Sequence, residues 1–347
     1  MGKDFCMSSF LALRYIEKAD EDFSPTLRHR PCKRLPDSLK TPIGGAHDLD
    51  CALDRAFSAM KGERLGLLLS GGMDSAILAS YMPEGADAYT FRFLGGSFQA
   101  DELARAQTFA RRNRLNLHYV DIDWSVVERC LEPVMASKGA PVHSIEPQLY
   151  FAALQARADG VEKLVIGDAA DYVFGGMDGL YAQDWSYDAF VRRYTYIEPS
   201  EVLVHPVSMD YLFERYRTGP GSIDFVRFLD HVCMDESYAS YENAFAAASM
   251  PYTDPYEPMK MSEPLDLKRM RSGDSKYIVR ALFRLRYPDI PVPEKLPMPR
   301  PVDQYFARWT GPRRPEFRPD IDISRYSGNQ RWLLWCLEQF LNRYFPL

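Results

Sequence analysis

The chain has few of the residues that build covalent or metal frameworks. Its 347 residues include six cysteines and six histidines. Cys6, Cys32, Cys51, Cys130, Cys233 and Cys336 lie far apart, with no Cys-x-x-Cys pair and no companion histidine at metal-ligand spacing. A zinc ribbon, a disulfide scaffold and a redox dithiol are therefore poor readings, and a reducing cytoplasm fits best. The histidines, His143, His205 and His231 among them, are too scattered for a cluster and read as structural or exposed. No stretch approaches the roughly 18 uninterrupted apolar residues of a membrane span. Residues 1–10 lack the apolar length of a secretory signal. Basic residues number 42 against 48 acidic ones, a net charge of −6, so the basic surface expected of a nucleic-acid binder is missing. What is present is apolar surface, at 46% hydrophobic and 13% aromatic residues, which excludes whole-chain disorder. The length suits one large domain or two modest ones, and the many tyrosines and phenylalanines read as core packing rather than a base-stacking platform.

Residues 1–47 hold scattered apolar positions and prolines but no periodic segment, and read as a linker-like extension. From Asp48 the pattern changes. Leu49, Ala52, Leu53, Ala56, Phe57 and Met60 recur at helical spacing, and Leu65-Gly66-Leu67-Leu68-Leu69 is the short apolar run of a buried parallel strand. Further strands are expected over 86–93, 117–122 and 164–166, alternating with helices over 74–81, 101–112, 124–135 and 148–157. That alternation predicts a parallel sheet covered on both faces, with ligands at the carboxyl ends of the strands. Beyond Tyr181 the strand signal fades. Helices are expected over 188–194, 223–231, 240–248 and 275–286, followed by a Pro-rich connector and a last helix. The division expected is 48–200 for the α/β core and 201–347 for a helical part that completes the site.

Two segments could carry chemistry. In Ser70-Gly71-Gly72-Met73-Asp74-Ser75, a strand ends, two glycines allow a tight turn, and a helix begins with unpaired amides facing that turn. These features suit a phosphate, although the Walker pattern is absent. Capping residues on an ordinary turn would look the same. The second segment, Gly167-Asp168-Ala169-Ala170-Asp171 followed by Gly175-Gly176-Met177, places two carboxylates beside a close-approach glycine at a later strand end. Asp171 could share a magnesium ion with Asp74, since hard cations on phosphates take one or two carboxylates plus waters. A capped helix start is the alternative.

Together the two segments resemble the asparagine synthetase and β-lactam synthetase family of ATP pyrophosphatases. Ser70 to Ser75 is similar to its pyrophosphate loop, and Gly167 to Gly176 to its Gly-Glu-Gly-Ala-Asp-Glu-Leu-Phe-Gly-Gly segment. Asp101-Glu102 with His118, Pro251-Tyr252-Thr253-Asp254, Lys276 with Arg280, and Glu294-Lys295 resemble further family segments in chain order, over roughly Asp48 to Pro301. The resemblance implies an adenine-nucleotide α-hydrolase-like (PP-loop) core followed by a mainly helical half. It implies an ATP- and magnesium-dependent ligase that activates a carboxylate as acyl-AMP, releases pyrophosphate, and forms an amide with ammonia or a substrate amine.

Carried over by residue, Leu68, Ser70, Gly71, Gly72, Asp74, Ser75, Gly167 and Lys276 would bind ATP, and Asp74 and Asp171 would hold magnesium. Lys295 would stabilise charge on the reacting oxygens, with Asp168 and Glu236 on the amine side. For Arg280 a solvated helix face is preferred. Several positions depart from the family pattern. Asp168 replaces a glutamate or tyrosine, Tyr172 replaces the final glutamate, Ala247-Ala248-Ser249 replaces a Glu-x-Arg, and Glu242 competes with Glu236. The alternatives are another PP-loop enzyme, for sulfur or nitrogen transfer, and an ATP-binding protein that has lost its acceptor chemistry. The family's glutaminase domain cannot fit in residues 1–47, so Cys6 is expected to be an ordinary cysteine and Ser9 to Ile16 to resemble the linker. Nitrogen would then come from free ammonia, a separate glutaminase partner or an amine on a small-molecule or peptide substrate.

Overall fold

The computed structural model describes residues 2–32, 34–95, 99–294 and 300–347. Five strands form one parallel sheet: β1 (Leu65–Leu68), β2 (Asp87–Phe93), β3 (Asn116–Ile122), β4 (Lys163–Val165) and β5 (Tyr252–Thr253), in the order β3-β2-β1-β4-β5. The first four lie within a residue or two of their expected positions. β5 comes from the segment read as Pro-Tyr-Thr-Asp, and a two-residue strand is too short to show a period. A second small parallel pair joins Thr41–Ile43 to Met259–Met261.

Helices cover both faces because the strands are apolar on both. Leu65 and Leu67 point into one cluster with Leu49, Leu53 and Phe57 of α2 (Ala46–Ala59), Ile77 of α3 (Met73–Ala79), Phe109 of α4 (Ala100–Arg112) and Phe283 of α9 (Tyr277–Arg286). On the other face Leu164, Val120 and Ile122 pack with α5 (Trp124–Lys138), α6 (Glu146–Ala158) and α8 (Phe225–Ala247). Gly66 faces this second layer, where a Cβ would sit 2.9 Å from Val161.

Two elements differ from the sequence expectation. Residues Gly2–Leu13 form a helix, α1, in which every residue from Phe5 to Leu13 is buried. A helix buried all round shows no apolar stripe, and its period is hidden. The thiol of Cys6 sits there, pushed up to about 12 mainly by burial, with Asp22 and Glu21 adding to the shift, so an ordinary cysteine fits. The helices expected over 223–231 and 240–248 are one 23-residue helix, α8. The polar run between them, including Glu236 and Ser237, is itself buried. The last helix, α10 (Gly328–Tyr344), is present as expected; it opens on a Ser327/Gln330 capping box, and its Trp332 and Trp335 pack with Phe306. No helix among the described residues is long and apolar enough to cross a membrane.

Candidate functional site

At the carboxyl ends of β1, β2 and β4 lies a cleft of about 400 Å3. The turn after β1 forms one wall. Gly71 has φ +75°, and a Cβ there would fall 2.5 Å from the Glu102 carbonyl oxygen, so this position needs glycine for both conformation and space. The Ser70 and Ser75 hydroxyls lie 3.1 Å apart, and Ser75 Oγ accepts from Ser70 N at 3.2 Å. The Gly72 amide donates to Ser70 Oγ at 3.3 Å. α3 has only seven residues, so the loop amides and hydroxyls, rather than a long helix dipole, would have to satisfy an anion.

Opposite stands the second carboxylate segment, whose residues Ala169–Val173 form a short helix, α7. Gly167 packs against α3, and a Cβ there would lie 3.0 Å from Leu78 Cδ1 and 3.4 Å from the Tyr256 ring. The buried Asp254 accepts from the Ala169 amide at 2.7 Å and the Tyr256 amide at 3.0 Å. Pro251 to Asp254 therefore buttresses the turn carrying Asp168 and Asp171, which gives that segment its place in the site.

Asp74 and Asp171, expected to share a magnesium ion, converge on the ammonium of Lys276. The Lys276 ammonium lies 2.5 Å from Asp74 Oδ2 and 2.7 Å from Asp171 Oδ1. Lys276 is buried and holds a left-handed backbone, φ +51°, at the start of α9, a conformation that side-chain residues keep only when surroundings enforce it. Burial opposes its charge, but the two carboxylates prevail and raise its pKa. Gly176 closes the cradle, since a Cβ there would overlap Asp171 Oδ1 at 2.1 Å and Lys276 Cδ at 2.7 Å. Two carboxylates meeting on one cation fit a magnesium ion held jointly with phosphate oxygens. Among the described residues no group of three or more potential ligands could hold a metal by itself.

The deep end of the cleft holds Asp168, Glu236, Ser237, Tyr172, Tyr241, His143, Arg14 and Arg300. Ser237 Oγ donates to Asp168 at 2.5 Å. Glu236 is ion-paired with Arg14, and its other oxygen is 3.5 Å from His143 Nε2. Burial raises the Glu236 carboxyl while Arg14, Arg300 and Lys138 pull it back. Burial also drives His143 well below its usual range, aided by Arg300, Arg14 and Lys138, so its ring is neutral. The His143 turn is fixed from beneath by Glu146, which accepts from the His143 amide at 2.8 Å, Lys138 Nζ at 2.5 Å and Asn243 Nδ2 at 2.7 Å.

The cleft thus gathers Leu68, Ser70, Gly72, Asp74, Ser75, Gly167, Asp168, Asp171, Glu236 and Lys276, with Gly71 inside the loop itself. Glu236 lines it and Glu242 does not. Arg280 also lines it, contrary to the solvated reading, with its Nε donating to the Ser275 carbonyl at 2.7 Å. Glu102 is on the wall, and burial pushes its carboxyl up to about 7. His118 instead pairs with Asp87 at 2.8 Å, outside the cleft. Lys295 lies outside the described residues. Sequence reading missed Arg14, His143 and Arg300. In the sequence His143 reads as structural or exposed, Arg14 stands in the linker-like stretch, and Arg300 sits in the Pro-rich connector, so no periodic or motif signal marks them.

The asparagine synthase family model matches residues 48–252. Among solved structures, an NMN synthetase from Francisella tularensis is 13% identical, covering 64% of this chain and 97% of that one, at a TM-score of 0.27. The U34-tRNA thiolase from Methanococcus maripaludis with its 4Fe-4S cluster is 14% identical, covering 71% and 83%, also at 0.27. At those scores neither likeness bears on the reading. No curated protein matches.

Proposed function

Because this chain belongs to the asparagine synthase family, we propose that it activates a substrate carboxylate with ATP and converts it to an amide. Membership supports an ATP-using ligase or transferase class, and the finer statement rests on the cleft. The observation that carries it is the convergence of Asp74 and Asp171 on one cation beside the Ser70 to Ser75 loop. That pairing suits the β- and γ-phosphates of ATP.

In this reading the loop amides and the Ser70 and Ser75 hydroxyls hold the pyrophosphate portion, and Leu68 and Gly167 lie against the nucleotide. A magnesium ion held by Asp74 and Asp171 would neutralise the departing pyrophosphate. Lys276 then turns from the carboxylates to the phosphate oxygens. A carboxylate oxygen of the substrate attacks the α-phosphorus, the bond to pyrophosphate breaks, and acyl-AMP forms. The chain contributes alignment and fixed charge rather than a covalent intermediate, with Lys295, by the family resemblance, countering charge on the reacting oxygens. Ammonia or a substrate amine attacks the acyl carbon and AMP leaves. We place the acceptor of the amine proton at Asp168, which lines the deep end of the cleft and stands, by the family resemblance, where the incoming amine is deprotonated.

The test is product analysis after incubation with ATP, magnesium, a panel of carboxylic acids and ammonia or simple amines. The reading requires AMP and pyrophosphate in step with an amide product. Production of ADP and phosphate with the amide would contradict it.

A further inference from the structure

Two buried serines, three residues apart on α8, use their hydroxyls differently. Ser240 Oγ turns back along the helix and donates to the Glu236 carbonyl at 2.9 Å, the usual way for a helical serine to satisfy itself. Ser237 instead sends its proton across to the turn after β4, donating to Asp168 Oδ2 at 2.5 Å. In the middle of a helix serine has no advantage over alanine in propensity, so it is the carboxylate that gives this hydroxyl its use. Asp168 gains from such a partner. The last torsion of an aspartate is broad and roughly two-fold, and two buried phenols, Tyr172 and Tyr241, stand near it, driven well above their usual range by burial with Asp168 adding to both shifts. Ser237 comes from a fixed surface. Glu236 beside it is paired with Arg14, and Asn243 further along α8 donates to the Val134 carbonyl at 3.0 Å and to Glu146 at 2.7 Å.

We infer that Ser237 is a positioning residue for amide formation, holding the Asp168 carboxylate in the orientation that takes the proton of the attacking amine. As the amine nitrogen bonds to the acyl carbon, the bond to AMP breaks and the N–H proton passes to Asp168, with nothing oxidised or reduced. Ser237 keeps its own proton throughout. Its hydrogen bond favours the charged carboxylate and so costs Asp168 some basicity. The gain is alignment, where a misplacement of about 1 Å can cost about 100-fold in rate. Adenylation, at the phosphate-loop end of the cleft, makes no use of this bond. The role rests on the ligase reading above and on Asp168 as the proton acceptor.

The experiment compares Ser237→Ala, Ser237→Thr, Asp168→Asn and the Ser237→Ala/Asp168→Asn double variant by acid-dependent pyrophosphate exchange and by amide formation. Ser237→Ala should lower kcat for amide formation at least about tenfold, with exchange and the KM for the acid changed by less than about twofold. Ser237→Thr, which keeps the hydroxyl, should recover most of that rate. In the Asp168→Asn background the loss of the hydroxyl should cost nothing further, because it acts only through that carboxylate.

A serine that only supports the fold would lower both half-reactions and add its loss to that of Asp168→Asn. Either of those results, or unchanged amide formation in Ser237→Ala, overturns the inference. If no acid supports exchange in the native protein, the ligase reading falls, and crystal structures of the native protein and Ser237→Ala then decide whether Ser237 holds Asp168. A carboxylate turned away from its native orientation in the variant supports that hold, and an unmoved one overturns it.

Discussion

Arg14, at the end of the N-terminal helix α1, forms an ion pair with Glu236 in the middle of α8, 222 residues away in sequence. The contact ties the first residues of the chain to the wall of the cleft. Arg14 also lies over the Tyr196 ring, 4.4 Å from its centroid.

Removing one partner leaves the other charge buried and unmatched. Arg14→Gln should therefore destabilise the fold by roughly 2 kcal/mol in denaturant unfolding, and Arg14→Gln with Glu236→Gln should cost less than the sum of the two. Strict additivity would show that the two side chains do not interact.

Gly176 leaves no room for a side chain beside Asp171 and Lys276. Gly176→Ala should push the Asp171 carboxylate off its position and weaken magnesium–ATP binding at least about tenfold, measured by calorimetry. Gly62→Ala, where a Cβ meets nothing within 4 Å although φ is +97°, should cost stability through backbone strain and leave nucleotide affinity unchanged.

Lys276 and a metal ion would use the same two carboxylate oxygens. In Lys276→Met the ammonium no longer competes, so manganese binding in the absence of ATP, followed by electron paramagnetic resonance, should strengthen. ATP affinity should fall at least about tenfold with the lost phosphate contact. Unchanged manganese affinity would separate the ammonium from the metal position.

The Glu102 carboxyl, held up to about 7 against an ordinary 4.5 by burial, predicts a pH dependence with a definite sign. Between those values the native state holds a proton that the unfolded chain releases, so this group's contribution is fully present below pH 4.5 and is lost as pH rises through 7. Glu102→Gln should remove that slope. The gain near neutrality should be about 1 to 2 kcal/mol once solvent access is allowed for, read from urea unfolding across the range.

Asp168→Asn should separate the two half-reactions. Adenylation does not need its basicity, so exchange should persist, while amide formation should fall by about 100-fold or more. Equal loss of both would move Asp168 into the nucleotide half of the site.

The α/β core was legible because its strands are apolar runs and its helices keep a clean stripe, as Leu49 to Phe57 do. The nucleotide side of the cleft was legible because Gly71, Asp74, Gly167 and Asp171 serve local geometry at strand ends, where spacing along the chain records position in space. The deep end was not. Arg14, His143 and Arg300 reach it from three separated segments, and only the tertiary packing of α1, the Glu146-braced turn and the connector brings them together. Burial hid the remaining elements: α1 has no polar face, and the buried Glu236 and Ser237 broke the apolar period that would have marked α8 as one helix.

The central claim, that the cleft adenylates a carboxylate, is tested most directly by exchange of labelled pyrophosphate into ATP, measured with a panel of carboxylic acids. The account predicts exchange that depends on both acid and magnesium, reduced at least about 100-fold in Asp74→Asn and in Lys295→Ala. Measurable ATP binding with no exchange for any acid, or full exchange in either variant, would contradict it.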